Sequence, residues 1–322
     1  MLDQTMLPEQ DILTEFIAGK LEASLMEPPD QNSWKELVGT YRPRKNRVHM
    51  TFQGWHNLPR EFVGERFIRD WSAYAVEAIL KRWELTIGAG QEYVEDQEFE
   101  MLDDAIRALG MTAESFESFL FTHYWTSMDG TASTIVPGFP VNPVSPITGA
   151  NIIADAHSFN GFAFDNLHAG MALTQANLLA GYVLFGDTPN DKGRRLGWMP
   201  DAIVTGPALS LTVDTLLDPA PWAPVAATGG SMSNQTARLG LGKIVLPHYS
   251  GSKWWLVKRN LPARWRIIQF LRHRLYNSAK FVKLDKPTDY NNFMRFENLY
   301  GTVDRMNFAF GPLPQTVHQF NP

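Results

Sequence analysis

Prolines 137, 140, 143 and 146 recur at every third position. Polyproline II has three residues per turn, so all four rings fall on one edge of an extended strap. Proline gives no N–H to a ladder and clashes inside a helix, so the strap is neither a central strand nor a helix. It is expected as a surface strap or as a linker between lobes. A chain of 322 residues exceeds the size at which one core usually stops growing, so two lobes or one elongated fold are expected.

Hydrophobic residues at 44% and charged residues at 20% place the chain with globular rather than disordered proteins. It has no cysteine, which excludes disulfides, thiolate metal sites and cysteine nucleophiles. Stability must come from packing and association. The segment MLDQTMLPEQ has no basic n-region or apolar h-region, and no apolar run approaches a membrane span. A soluble cytoplasmic protein is the expectation, with no membrane partner.

Charge is unevenly spread. Between Trp83 and Ile106 there are eight acidic residues and no Lys or Arg. Between Lys253 and Lys286 there are ten basic residues and one acid, Asp285. Two readings stand. These are solvated faces, or they are complementary patches that steer copies of one chain together.

Hydrophobic spacing gives the elements. Pro8 with Glu9 and Asp11 opens a helix whose stripe runs Ile12, Leu13, Phe16, Ile17, Leu21 and Leu25. Residues 40–48 are extended and basic. Gly54, Pro59 and Gly64 punctuate a hairpin-like excursion that must pack on something else. Residues 83–87 read as a strand. Residues 97–124 read as one long helix, interrupted at Gly110 and capped again at Thr112, before Asp129-Gly130 turns the chain. Helices are expected at 174–184, 209–217 and 262–277. In the last, basic one, Trp265, Ile268, Leu271 and Leu275 would face inward. Strands are expected at 201–205, 243–246 and 254–257, a loop at 219–234, and a closing hairpin around Gly301. Clustered helices and scattered strands argue an α+β class.

Catalytic motifs are scarce. Gly240-Leu241-Gly242-Lys243 lacks the spacing and hydroxyl of a phosphate loop, and Gly88-Ala89-Gly90 lacks the third glycine of a dinucleotide turn. Neither a G-x-S-x-G elbow nor an H-E-x-x-H helix is present. Asp155 and His157, with His168, are the best metal candidates, and a metal hydrolase using them is one alternative. Three or four converging ligands would be needed, so no metal, cofactor or catalytic residue is expected.

Three stretches carry a resemblance. Gly54-Trp55, Leu58-Pro59, Arg60-Glu61 and Val63-Gly64-Glu65-Arg66 lead to Trp83-Glu84-Leu85-Thr86-Ile87 and Val94-Glu95-Asp96. This order resembles the major head subunit of Mu-like phages. Phe62 stands where that pattern often has Trp, and Gln97 replaces a third acid. Asn177-Leu178, Gly193, Pro200-Asp201-Ala202-Ile203-Val204 and Gly206-Pro207-Ala208-Leu209 are similar to HK97-like capsid proteins. So are Ile244-Val245-Leu246-Pro247 and Trp254-Trp255-Leu256-Val257.

The resemblance implies an HK97-like capsid fold. Residues 1–39 would be an N-terminal arm and 40–90 the extended E-loop region. Residues 91–149 would be a peripheral domain with a long spine helix, 150–254 an axial domain, and 255–322 a return to the peripheral domain. It implies a major capsid protein of a tailed phage, assembled in the host cytoplasm into the hexamers and pentamers of an icosahedral shell around double-stranded DNA. Its partners would be its own copies, packaged DNA on the inner face, and portal, scaffold or decoration proteins. An encapsulin-like compartment shares that fold and is a second alternative. The subunit-contact candidates are Trp55, Arg60, Glu61, Glu65, Arg66, Glu95, Asp96, Arg264, Arg266, Arg272 and Arg274.

Overall fold

The computed structural model describes residues 32–53, 73–90, 99–145, 147–159, 161–218, 236–284, 289–295 and 297–322. The helix expected from Pro8 and the loop expected at 219–234 lie outside the described residues.

The strands are β1 (Val38–Tyr41), β2 (Arg47–Gln53), β3 (Ala73–Ile79), β4 (Lys81–Gly90), β5 (His157–Phe159), β6 (Phe162–Phe164) and β7 (Leu167–His168). They continue with β8 (Ala202–Thr205), β9 (Gly242–Val245), β10 (Trp254–Val257), β11 (Ile268–Arg272), β12 (Lys280–Leu284), β13 (Glu297–Phe310) and β14 (Val317–Phe320). The helices are α1 (Phe99–Thr126), α2 (Gln175–Gly186), α3 (Ser210–Leu217) and α4 (Tyr290–Arg295).

Two five-stranded sheets carry the molecule. In the first, β13 is the axis. Along one edge it pairs with β4, from Glu297 opposite Gly90 to Met306 opposite Lys81. Along the other it pairs first with β12 and then with β11, and β1 adds to β11 in parallel. The second sheet runs β7-β14-β10-β8-β9. Its strands β8 and β10, AIVT and WWLV, are buried at every position. Strands covered on both faces lose the apolar–polar alternation and read as continuous apolar runs.

The α1 helix spans 28 residues, about 42 Å at 1.5 Å per residue, and packs on β13 and β4. It passes through Gly110 without a break. Thr112 does not cap a second helix, because its hydroxyl donates to the Ala108 carbonyl one turn back, at 2.8 Å. A mid-helix glycine costs only about 1 kcal/mol, and burial of Ile106 and Leu109 against Tyr300 holds the turn before it. The core joins both sheets through α1. Trp34, Phe121, Trp125, Trp255, Phe270 and Phe308 belong to one cluster.

Two expected elements are corrected. Residues 262–277 are not a helix but a short 3-10 turn at Ala263–Trp265 followed by β11. Ile268 and Leu271 do face the interior, but so do Gln269 and Phe270 between them, and Leu275 is exposed. The closing segment is not a hairpin. Gly301 sits inside the 14-residue β13, opposite Thr86, where an added Cβ would meet the Thr86 hydroxyl at 2.8 Å.

The proline strap lies outside both sheets, with Val144 bridged to Asn151 alone. Pro137, Pro140 and Pro143 are in the described part, while Pro146 is outside it. His123 of α1 pins it. Its Nδ1 accepts from the Val136 N–H at 3.2 Å and its Nε2 donates to the Phe139 carbonyl at 2.7 Å.

Candidate subunit-contact surfaces

β2 and β3 form a separate two-stranded antiparallel ribbon, in register from Arg47 opposite Ile79 to Gln53 opposite Ala73. Its root is fastened to the first sheet. Val48, Ala78 and Leu80 are buried, the last two with Leu271 and Ala309. Asn307 donates to the Ile79 carbonyl at 2.8 Å, and Arg305 donates to the Asn46 side chain at 3.2 Å. Beyond the root cover falls away. His49, Thr51, Ala75 and Glu77 are exposed, and the Arg47–Glu77 ion pair at 2.5 Å is open to solvent. An isolated two-stranded ribbon is at best marginally stable in water. A cleft of about 400 Å³ runs beside it, between β3, the strap and β13, lined by Ala75, Glu77, Phe139, Val141, Asn307 and Phe310.

Trp55, Arg60, Glu61, Glu65 and Arg66 belong to the connection between the two ribbon strands, at 54–72, outside the described residues. Glu95 and Asp96, at 91–98, are also outside the described residues.

The four candidate arginines of the basic block fall in different settings. Arg264 and Arg274 are exposed. Arg266 is partly buried and donates to the Val38 carbonyl at 2.7 Å, tying the 3-10 turn to β1. Arg272 is buried and bridges Asp304 of β13, at 2.6 Å, to Glu117 of α1. Burial disfavours its charge, but the two carboxylates outweigh this and raise its pKa. Arg272 thus clamps the long helix to the first sheet within the subunit rather than standing on the surface.

Other members of the block are engaged internally too. Lys258 pairs with Asp201 at 3.1 Å, and Arg259 pairs with Glu36. Lys253 reaches Asp129 at 2.6 Å, where Gln319 also donates at 2.7 Å. Burial pushes the Asp129 carboxyl up, but these donors prevail and hold it below the usual range. Asp129 was read only as a turn residue, and Glu117 and Asp304 carried no expectation. Their partners lie 124, 155 and 32 residues away, so no local pattern marks them.

The metal alternative does not assemble. His157 is buried, stacked on Phe164, and bonded to Asn166 at 3.1 Å and Thr148 at 3.0 Å. Asp155 is exposed. Among the described residues no group of three or more His, Asp or Glu is placed to hold a metal ion. Among them, too, no helix is long and apolar enough to cross a membrane.

No family model and no curated protein sequence matches the chain. Solved structures do. The capsid of Ralstonia phage GP4 aligns with a TM-score of 0.56 at 13% identity, covering 88% of this chain and 86% of that one. The capsid of Myoviridae phage XM1 aligns at 0.53 and 9% identity, covering 92% of each chain. The procapsid of bacteriophage JBD30 aligns at 0.51 and 13% identity, covering 97% of this chain and 74% of that one. At such identities the shared property is the fold. The chain has the α+β, HK97-like fold of phage capsid subunits.

Proposed function

We propose that the protein is a major capsid subunit that self-assembles into the icosahedral shell of a tailed phage. One observation carries the reading. On a fold shared with capsid chains over most of its length, the β2–β3 ribbon projects with only its root covered. A second copy is the natural cover, and burial across copies stabilises a segment that a single subunit leaves exposed.

In this reading residues 1–39 are the arm, 40–90 the E-loop region, 91–149 the peripheral domain with α1 as its spine, and 150–254 the axial domain. Residues 255–322 return to the peripheral domain, with two exceptions, residues 255–257 of β10 and all of β14, which pair with each other in the second sheet. Copies form hexamers and pentamers. The shell encloses double-stranded DNA, held without sequence preference on its inner face, and portal, scaffold or decoration proteins complete the particle. Assembly takes place in the host cytoplasm.

The test removes the connection between the two ribbon strands. Residues 54–72 are replaced by an Asn-Gly turn, which suits a two-residue hairpin. The variant should keep the wild-type melting transition and lose shell formation by light scattering. Wild-type shells from this variant would overturn the reading.

A further inference from the structure

The first sheet has two unlike faces. α1 packs on one of them, where Trp83 of β4 lies against Phe116 and Asp304 of β13 is joined through Arg272 to Glu117. Successive residues of a strand point to opposite faces, so Arg82 and Arg305 point away from α1. They stand directly opposite each other in the β4–β13 ladder. Like charges so placed repel and weaken the pairing.

More cations border this face. Arg305 donates to the Asn46 side chain at 3.2 Å, next to Lys45. The Arg44 carbonyl accepts from His273 Nε2 at 3.0 Å, and the Pro43 carbonyl accepts from the Arg274 N–H at 3.0 Å. Arg42 donates to the Asn277 side chain at 3.0 Å. Arg42, Arg44, Lys45, Arg82, Arg274 and Arg305 thus form one stripe, and all but Arg305 are exposed. Among the described residues none of these is paired with a carboxylate, whereas Lys253, Lys258, Arg259 and Arg272 each are. Arg42 and Arg305 are held by asparagine amides, which fix them without neutralising them. Glu84, two residues from Arg82 on the same face, leaves the stripe strongly positive.

We infer that this stripe is the surface on which the packaged duplex DNA rests, held through its phosphates. The inference takes its partner from the capsid reading above, and it adds that the face of the first sheet opposite α1 looks into the shell. Arginine's planar fork matches phosphate oxygens, and all of the six but Lys45 are arginine. A row of unpaired cations suits a chain of phosphates, and the counterions it releases drive the contact without reading sequence. A protein partner would call for an apolar centre, and Leu275, bare beside Arg274, supplies little of one.

The test titrates the full chain, below the concentration at which it assembles, into a short labelled DNA duplex of mixed sequence. Anisotropy is read between about 50 and 200 mM salt. Each neutralised phosphate contributes about −0.9 to the slope of log affinity against log salt, so the stripe should give about −5. The combined variant Arg44→Gln, Lys45→Gln and Arg82→Gln should bring the slope to about −3 and weaken binding at low salt. Its melting transition and shell formation should match wild type. An unchanged slope would overturn the inference. So would unchanged DNA affinity together with loss of shells, which would assign the stripe to the acids of a neighbouring copy. Wild-type chain that forms shells but shows no salt-dependent affinity for the duplex would also overturn it, while the capsid reading stood. Absence of shells from the wild-type chain would instead remove the capsid reading, and the packaged DNA with it.

Discussion

His168 Nε2 and His318 Nδ1 face each other at 3.0 Å beside the parallel seam of β7 and β14. On its other side His318 Nε2 lies 3.0 Å from the Thr188 hydroxyl, just past the end of α2. One proton fits between the two rings, so this junction suits neutral imidazoles. Burial pushes His318 well below its ordinary pKa, helped by His168 and His157 nearby. Burial also lowers His168, and the opposing effect of Asp165 does not reverse it.

Acid should therefore loosen the second sheet. The folded-state pKa values lie below the unfolded one of about 6.5, so the unfolded chain binds more protons as pH falls past that point. This contribution is complete above about pH 6.5 and is lost below it. The urea midpoint of the wild-type chain should hold from pH 7.5 to about pH 6.5 and fall from there to pH 5. His318→Gln should start lower and depend less on pH. Equal slopes for the two proteins would contradict the assignment.

The Arg272 clamp yields a stability prediction. Arg272→Ala leaves Glu117 and Asp304 facing each other without their cation. Losing one partner of a buried ionic cluster costs about 3–5 kcal/mol. Urea unfolding should show a loss of that order. Replacing all three residues with leucine should recover most of it, since an apolar cluster of similar volume is often as stable. A loss below about 1 kcal/mol for Arg272→Ala would mean the cluster is solvated, as surface pairs are.

Gly39 stands where β1 passes the 3-10 turn. A Cβ there would meet the Ala263 carbonyl oxygen at 2.0 Å and the Gln269 side chain at 2.5 Å. Backbone cannot yield as a flexible side chain can. Gly39→Ala should cost about 1–3 kcal/mol, the usual range for overpacking, measured by thermal melting. Gly138→Ala, with open space around it, is the control for the clash itself, since its strain comes from positive φ alone.

Arg264→Glu and Arg274→Glu change exposed charges, so the melting temperature should stay within about a degree of wild type, the scale of ordinary surface substitutions. Under the complementary-patch reading they block shell formation, as does Arg66→Glu. Sedimentation of each variant separates shells from subunits. Normal shells from all three would leave the patches as solvated faces.

The sequence made some of these features legible and hid others for definite reasons. The strands at 202–205 and 254–257 were plain as short, dense apolar runs, and Thr174 marked the start of α2, where its side chain accepts from the Asn177 N–H. Trp265, Ile268, Leu271 and Leu275 have helical spacing by coincidence. β11 is buried on both faces, so its sequence lacks the alternation that would have marked a strand. Gly301 looked like a turn because glycine usually punctuates strands, but here it admits the close approach of β4. The charge blocks were visible, yet their internal pairing was not. Arg272 looks like its neighbours in sequence, and only the packing of α1 on β13 sets it apart.

Negative-stain electron microscopy of the chain expressed alone tests the central claim most directly. The account predicts closed shells or capsomer rings. A stable monomer that stays monomeric, even with scaffold protein or crowding agents, would contradict it.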